Sequence, residues 1–366
     1  MTPEDLQRVR DLLSEARRLG SRLAIRGRGN HDALLGQPRG TRLSLAGQGG
    51  LIAYEPWELY VRVAAETPLS VLEAALAEER QELPFEPPRR GGSATVGGMV
   101  AVGLAGPRRA TVGPLRNFLL GASVIDGRGQ SLRFGGTVIK NVAGYDVSRL
   151  LAGSYGTLGL LTEVTLRVRF KPLFCETICL SLPAPKAIAL LNRIRQVPWP
   201  IDASAWLGDS EGGHLWLRWA GTPAAISSGQ TALAASFSFE SVAPEEADTF
   251  WSSLRDQRHP FFKASEDSGP LWRRVVPHNE APTVLGPTLI EWHGGLRWSW
   301  LRPTLGGLDE SASPTEVGAR FGFSQGSEPC WPLPTRDPGL KRVAHRVKAL
   351  WDPDGLFESP VGWEDP

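Results

Sequence analysis

Three glycine-rich segments hold the residue types that could do chemistry. The first, Ile25-Arg26-Gly27-Arg28-Gly29-Asn30-His31, is a strand end that opens into glycines. Such loops expose consecutive backbone N–H groups and form a concavity for a phosphate. No G-x-G-x-x-G precedes a helix here, so this is not a Rossmann fingerprint, and a plain turn is the competing reading. The second segment is Pro87-Pro88-Arg89-Arg90-Gly91-Gly92-Ser93-Ala94-Thr95-Val96-Gly97-Gly98-Met99. Its four glycines let backbone approach a ligand closely, and Ser93 and Thr95 add hydroxyl groups. A helix starting after Gly97 would turn its positive end toward a pyrophosphate. A tight turn against a sheet explains one glycine pair easily and both poorly.

The third segment runs from Gly135 through Lys140, Gly144, Tyr145 and Asp146, then on through Gly153-Ser154-Tyr155-Gly156 to Glu163 and Val164. Lys140 is one of only six lysines beside 34 arginines. A compact ammonium there could balance charge near a phosphate or a reduced ring; a solvated surface lysine is the alternative. The six histidines, at 31, 214, 259, 278, 293 and 345, form no metal-spaced pair. His293 with Arg297 is the one candidate for a base and a carboxylate clamp, against a hairpin-tip histidine and a packed arginine.

These residues need elements to position them. Thr2 can cap a helix with Pro3 at its first position and Glu4 and Asp5 in its first turn. Leu6, Val9, Leu12, Leu13, Ala16 and Leu19 keep a helical period, and Gly20 ends it. Strands are expected at Leu23-Ala24-Ile25 and from Leu59 to Val63, with a second helix opened by Thr67-Pro68. Strand patterns dominate from Phe118 to Phe170. The rear half is strand-rich: Gly294-Gly295 predicts a two-residue hairpin with His293 opposite Leu296 and Trp292 opposite Arg297, a cross-strand cation–π pair. A second hairpin is expected around Gly212-Gly213, and helices over Ala184 to Arg195 and Leu340 to Leu350. The mixture is α+β, without a regular βαβ alternation or an internal repeat.

The composition bounds the class. The chain has 366 residues, 41% hydrophobic and 22% charged, which fits about two globular domains. A net charge of +1 offers no basic field for nucleic acid. Twelve of 13 tryptophans follow residue 198, whereas 16 of 41 glycines crowd into residues 91–159. The vocabulary changes near Lys171-Pro172, which predicts domains over 1–172 and 173–335 and a closing segment over 336–366. Three cysteines, at 175, 179 and 330, build neither a disulfide framework nor an iron–sulfur site. The start lacks the pattern of a signal peptide, and no apolar run reaches the ~20 residues of a membrane span. The expectation is a cytoplasmic protein with no transmembrane segment; peripheral attachment at the inner face of the membrane, through a complex, stays open.

Together, "PPRRGGSATVGG" and "KNVAGYDVSRLLAGSYGTLGLLTEVTL", with the spacing between them, resemble the FAD-binding half of the vanillyl-alcohol-oxidase, or PCMH-type, flavoproteins. Within that family the resemblance is to the FAD-binding subunits of bacterial glycolate oxidases, and it is weakest between about residues 173 and 335. Leu350-Trp351-Asp352-Pro353-Asp354-Gly355-Leu356-Phe357 looks like the family's C-terminal "DP.G.F" element.

The resemblance implies a two-subdomain PCMH-type FAD-binding fold followed by an α+β cap domain, with the 336–366 segment returning to the flavin domain. It implies a first pyrophosphate loop of Arg26, Gly27, Arg28, Gly29 and Asn30, and a second of Gly92, Ser93, Ala94, Val96, Gly97 and Gly98. Gly144, Tyr145, Asp146, Glu163 and Val164 would lie along the ribose and adenine. Asn30 stands where covalent relatives carry a flavin-linking histidine, so the implied FAD is non-covalent. Asn117 replaces a frequent Asp, and Glu358-Ser359-Pro360 replaces the usual Asn-Pro-Gly ending.

The implied activity is oxidation of a 2-hydroxy acid, glycolate to glyoxylate, in a complex with a second FAD-binding subunit and an iron–sulfur subunit. A self-sufficient FAD-dependent D-lactate-like dehydrogenase and a scaffold subunit without flavin are the alternatives. An enolpyruvyl-sugar reductase ranks lowest, for want of an identifiable Ser and Glu in the rear half.

Overall fold

The first helix forms where the sequence places its cap. In this computed structural model, which describes residues 2–29, 38–45, 49–89, 92, 94–137, 146–263, 271–284, 286–300, 317–321 and 338–359, α1 spans Pro3–Leu19. Thr2 and Asp5 form a reciprocal capping box, and Gly20 closes the helix with φ of 63°. Its buried face, Val9, Leu13 and Ala16, shares a core with Leu23, Leu43, Ile125, Leu160, Leu356 and Phe357.

The chain divides into two compact units. The first comprises Met1–Leu104, Pro114–Lys171 and Thr335–Pro366; the second comprises Ala105–Gly113 and Pro172–Pro334. In the first unit β1 (Leu23–Ile25) and β2 (Thr41–Leu43) pair in parallel. A five-stranded antiparallel sheet follows from β3 (Leu51–Glu55), β4 (Tyr60–Ala64), β6 (Leu119–Ile125), β7 (Ser131–Gly135) and β8 (Leu160–Arg167), in the order β3-β4-β8-β6-β7. The short β5 (Gln81–Glu82) pairs with β9 (Arg169–Phe170). Helix α2 is Leu69–Glu78, and α3 is Val96–Val102 with Thr95 as its N-cap. Thr67 does not cap α2 as the sequence suggests. Pro68 takes that position, because the Thr67 hydroxyl is held by both the N–H and the carbonyl of Gly50.

The C-terminal helix (Pro338–Trp351) leads into residues 352–359. Phe357 bridges β1 in parallel, with Leu23 N–H donating to Leu356 O at 2.7 Å and Glu358 N–H to Leu23 O at 2.9 Å. Glu358, which departs from the usual ending, is buried there and meets Arg39 at 3.2 Å.

The second unit is an eight-stranded antiparallel sheet of β10 (Phe174–Ser181), β11 (Ile201–Gly208), β12 (Gly213–Gly221), β13 (Glu240–Val242), β14 (Leu271–Val275), β15 (Thr288–Glu291), β16 (Leu296–Trp300) and β17 (Val317–Phe321). The order is β13-β10-β12-β11-β15-β16-β14-β17. The expected hairpin at Gly212-Gly213 forms, with Gly208 opposite Gly213. Strand alternation sends Leu215, Leu217 and Trp219 into one core with α4 (Ala184–Ile194) and α5 (Pro223–Ala234). Trp216 and Arg218 meet α6 (Pro244–Arg255) instead, through Phe250 and Trp251. Trp219, Trp298 and Trp300 are buried in the core of this unit.

Two expectations are corrected here. The Gly294-Gly295 pair is not a two-residue turn: Glu291 opposes Leu296 and Ile290 opposes Arg297, leaving a four-residue connection. The reversal uses left-handed backbone at Trp292, His293 and Gly294, with φ of 53°, 52° and 94°. Such conformations cost about 1–3 kcal/mol each in a non-glycine residue, so tertiary contacts must impose them. Trp292 donates from its indole to Gly106 O at 2.9 Å and stacks under Arg109 at 4.2 Å and Arg273 at 5.2 Å, not Arg297. The same contacts explain why residues 105–113, expected in the first domain, belong to the second unit: Arg108 also pairs with Asp202 at 2.7 Å.

Candidate functional site

A cleft in the first unit brings separated segments together. It is walled by residues 25–29 at the end of β1, Ala65 and Glu66 after β4, Thr95, Gly97 and Gly98 at the start of α3, and Tyr155, Gly156, Gly159, Leu160 and Leu161 at the approach to β8. It encloses about 680 Å³ of atom-free space, part of it open to solvent.

Small residues make that approach possible. A Cβ on Gly27 would lie 2.8 Å from Thr95 Oγ1, and one on Gly97 would lie 2.9 Å from the Ala65 Cβ. The first glycine segment therefore meets the Thr95 side chain of the second, and Gly97 packs on Ala65 after β4. A Cβ on Gly156, which has φ of 77°, would lie 3.1 Å from the Ile25 Cβ. Tyr155 shares the left-handed conformation, with φ of 55°. Its N–H donates to Ala101 O at 2.8 Å, fastening this wall to the last turn of α3.

The amide groups divide into used and available ones. At α3, Val96 N–H donates to Thr67 O, Gly97 N–H to Ala65 O at 2.6 Å, and Gly98 N–H to Thr95 Oγ1 at 3.1 Å. The glycine character of Gly97 serves close approach, since a Cβ there would lie 2.9 Å from the Ala65 Cβ. Among the described residues, no carbonyl accepts from the N–H groups of Gly27, Arg28 or Gly29. The Gly27 carbonyl is instead held by Arg42 at 2.7 Å. Consecutive amides with a neighbouring guanidinium form an anion-binding arrangement.

Glu66 is the unexpected member of the wall. Burial raises its carboxyl above the usual range, while the Leu45 N–H and the charges of Arg28 and Arg42 draw it back. No residue pattern marked it, because it follows a strand without a motif. Tyr155, Gly156, Gly159, Leu160 and Leu161 also line the cleft; the glycine-rich third segment carried their signal.

The other sequence-derived candidates separate by place. Arg26, Gly27, Arg28, Gly29, Gly97 and Gly98 line the cleft. Ala94, Val96 and Val164 are core residues at 3%, 0% and 0% exposure, so they support the wall from behind. Gly92 is exposed, with φ of 85°. Asp146 is exposed and pairs with Arg149 at 3.3 Å. Glu163 lies mid-strand in β8, between Ala64 and Ser123. Asn30, Ser93, Lys140, Gly144 and Tyr145 lie outside the described residues.

His293 and Arg297 belong to the second unit, and their bonds go to the chain itself. His293 is 4% exposed; its N–H and its Nδ1 both meet Ser204 Oγ, at 3.0 and 2.9 Å. Burial lowers its pKa to about 4, with His278 and Arg195 adding to the effect, so the ring is neutral at neutral pH. Arg297 donates to Gly294 O and Glu280 O, each at 3.0 Å, and so fastens the left-handed turn. Burial lowers its pKa to about 10, which leaves it charged.

Residues 1–147 match the FAD binding domain family. Over 346 residues the chain is 39% identical to glycolate oxidase subunit GlcE of Escherichia coli (strain K12), covering 92% of this chain and 91% of that one. Shorter matches join it to D-lactate dehydrogenase of Archaeoglobus fulgidus, 35% identical over 32% of this chain and 26% of the relative. Glycolate oxidase subunit GlcD of Bacillus subtilis (strain 168) is 32% identical over 37% and 32%. In three dimensions, alkyldihydroxyacetonephosphate synthase superposes with a TM-score of 0.64 over 96% of this chain and 74% of that one, at 13% identity, which shows a shared fold.

Proposed function

Because the chain belongs to the glycolate oxidase subunit GlcE family of FAD-binding flavoproteins, we propose that it is the FAD-holding subunit of a complex that oxidises a 2-hydroxy acid, with glycolate the first candidate. One observation carries this reading: the 26–29 loop and the start of α3 meet at a cleft whose floor is glycine backbone.

The residues fit an extended dinucleotide. A Cβ at Gly27 would close the approach of the 26–29 loop to Thr95, and one at Gly97 would close the approach of α3 to Ala65. The N–H groups of Gly27, Arg28 and Gly29, with the Arg28 guanidinium, suit the diphosphate. Ala101, Val102, Leu160 and Leu161 give the cleft an apolar wall. Asn30 in place of a flavin-linking histidine makes the binding non-covalent. When bound, FAD supplies a hydride acceptor, which amino-acid side chains lack. The chain's own part is to hold the cofactor, exclude water from it and keep it aligned.

Arg297 and His293 spend their polar atoms on their own unit, which favours a division of labour: substrate oxidation belongs to a homologous flavin subunit of the GlcD kind. Three cysteines cannot supply the four thiolates of an iron–sulfur cluster, so an iron–sulfur subunit would take the electrons onward. Among the described residues no helix is long and apolar enough to cross a membrane. A cytoplasmic site suits a chain with only three cysteines, with membrane attachment through the complex.

The test is reconstitution of the full chain with FAD. Flavin absorption that co-elutes with the protein, and glycolate-dependent dye reduction that requires the GlcD-type partner, are expected. Protein that elutes without flavin removes the proposal; turnover by the isolated chain removes the division of labour.

A further inference from the structure

We propose that Lys348 is a positioning residue for the FAD cleft: its buried ammonium ties two of the segments that form the cleft to one C-terminal strut. This rests on the FAD reading above and goes beyond it, since Lys348 lies on the C-terminal helix and lines no part of the cleft.

The three donors of the ammonium reach three acceptors. Lys348 Nζ donates to Thr157 O at 2.9 Å, to Phe357 O at 3.0 Å, and to the Asp352 carboxylate. The lysine side chain is 7% exposed and that of Asp352 is 0%. Asp352 is saturated in turn, with Oδ1 accepting from Leu356 N–H at 2.9 Å and Oδ2 from Phe357 N–H at 2.7 Å. Gly127 completes the enclosure; a Cβ there would lie 2.5 Å from Asp352 Oδ1.

Both ends of this network lead to the cleft. Thr157 directly follows Tyr155 and Gly156, which line the cleft, and its hydroxyl grips Ser154 O at 2.7 Å. Leu356 and Phe357 are the residues against which β1 is fixed, and β1 runs directly into the 26–29 loop. A buried ion pair is a poor source of net stability, because desolvation offsets the attraction. What such a pair does well is to fix a geometry. Here the geometry is the separation between the amides of 27–29 and the Tyr155-Gly156 wall, which a diphosphate-containing ligand has to match.

Lys348→Met keeps the apolar stem and removes the ammonium. It strands the Asp352 carboxylate and frees the Thr157 carbonyl. In the full-length protein, FAD affinity measured by titration of the apoprotein is expected to fall about tenfold or more. Amide hydrogen exchange without ligand is expected to rise in both 23–29 and 154–161. Leu76→Ala, a core truncation on α2 outside the cleft, is the control for general loosening: matched for loss of melting temperature, it is expected to keep its FAD affinity. If Lys348→Met does not fold, Asp352→Asn takes its place, since it keeps the shape and one acceptor oxygen.

Wild-type affinity in the variant, exchange that rises in neither wall, or an equal loss of affinity in the Leu76→Ala control overturns the inference. Failure of the wild type to bind FAD overturns the functional reading instead, and the exchange data still report on the strut.

Discussion

Gly27 is the position where the two glycine segments touch, and Gly27→Ala probes that contact directly. The added Cβ would sit 2.8 Å from Thr95 Oγ1, about 0.6 Å inside an ordinary contact. The obstacle is a side-chain oxygen with a duty of its own, since it caps α3 by accepting from Gly98 N–H at 3.1 Å. Either Thr95 rotates and gives up the cap, at about 1 kcal/mol, or the loop withdraws from α3. Overpacking of this kind costs about 1–3 kcal/mol. The same displacement moves the available amides of residues 27–29, and 1.4 kcal/mol is a factor of ten in affinity.

The expected result is a drop of about 1–2 kcal/mol in urea unfolding and a tenfold weaker FAD titration. A double-mutant cycle isolates the contact. Thr95→Ala alone loses the cap; after it, the nearest remaining Thr95 atom to the new methyl is the Cβ at 3.7 Å, an ordinary distance. Gly27→Ala is therefore expected to be nearly neutral for stability in the Thr95→Ala background, with a coupling of about 1–2 kcal/mol. Costs that simply add, or unchanged FAD affinity in Gly27→Ala, refute the reasoning.

Three further outcomes follow from charges. His293 has its folded pKa lowered from 6.5 to about 4, so the unfolded chain binds the extra proton between those values. Stability is full above pH 6.5 and falls by up to about 3 kcal/mol as pH drops toward 4; His293→Asn, whose side chain tolerates the left-handed backbone, should flatten that limb in urea melts at stepped pH. Glu66 is raised by burial, so the folded state holds its proton above pH 4.5 and stability declines as pH rises through the folded pKa; Glu66→Gln should remove this decline, and an unchanged profile would discount the burial effect. Asp202 answers both Arg108 and Arg218 at 2.7 Å, and Asp202→Ala removes the carboxylate shared by these two buried guanidinium groups, at about 3–5 kcal/mol in chemical denaturation. Full-length Asp202→Ala should still bind FAD, because the cleft lies in the other unit.

Local chemistry made much of the first unit legible. Thr2-Pro3 with Asp5 and Gly20 delimited α1, because capping and left-handed termination depend on residues within one turn. Leu23-Ala24-Ile25 read directly as β1 for the same reason. The glycines of 27–29 and 97–98 signalled close approach, since only the missing Cβ permits it. Where the reading went astray, a distant partner overruled a local preference. Thr67 looked like a cap until Gly50 claimed its hydroxyl. Trp292 and His293 turn left-handed because Gly106, Arg109 and Ser204 hold them there, and none of those partners lies within 80 residues in sequence.

By itself, then, the chain's order of residues determined which segments can bring backbone to a diphosphate, and that the match is to a flavoprotein family. Only the tertiary structure decided which amides are left to donate: among the described residues those of 27–29 meet no carbonyl, whereas Thr67, Ala65 and Thr95 consume the ones at α3. It also placed a carboxyl, Glu66, in the wall and an ammonium, Lys348, behind it. A hydrogen bond or a burial shift depends on distance in space, and spacing along the chain carries that information only within a helical turn or a hairpin.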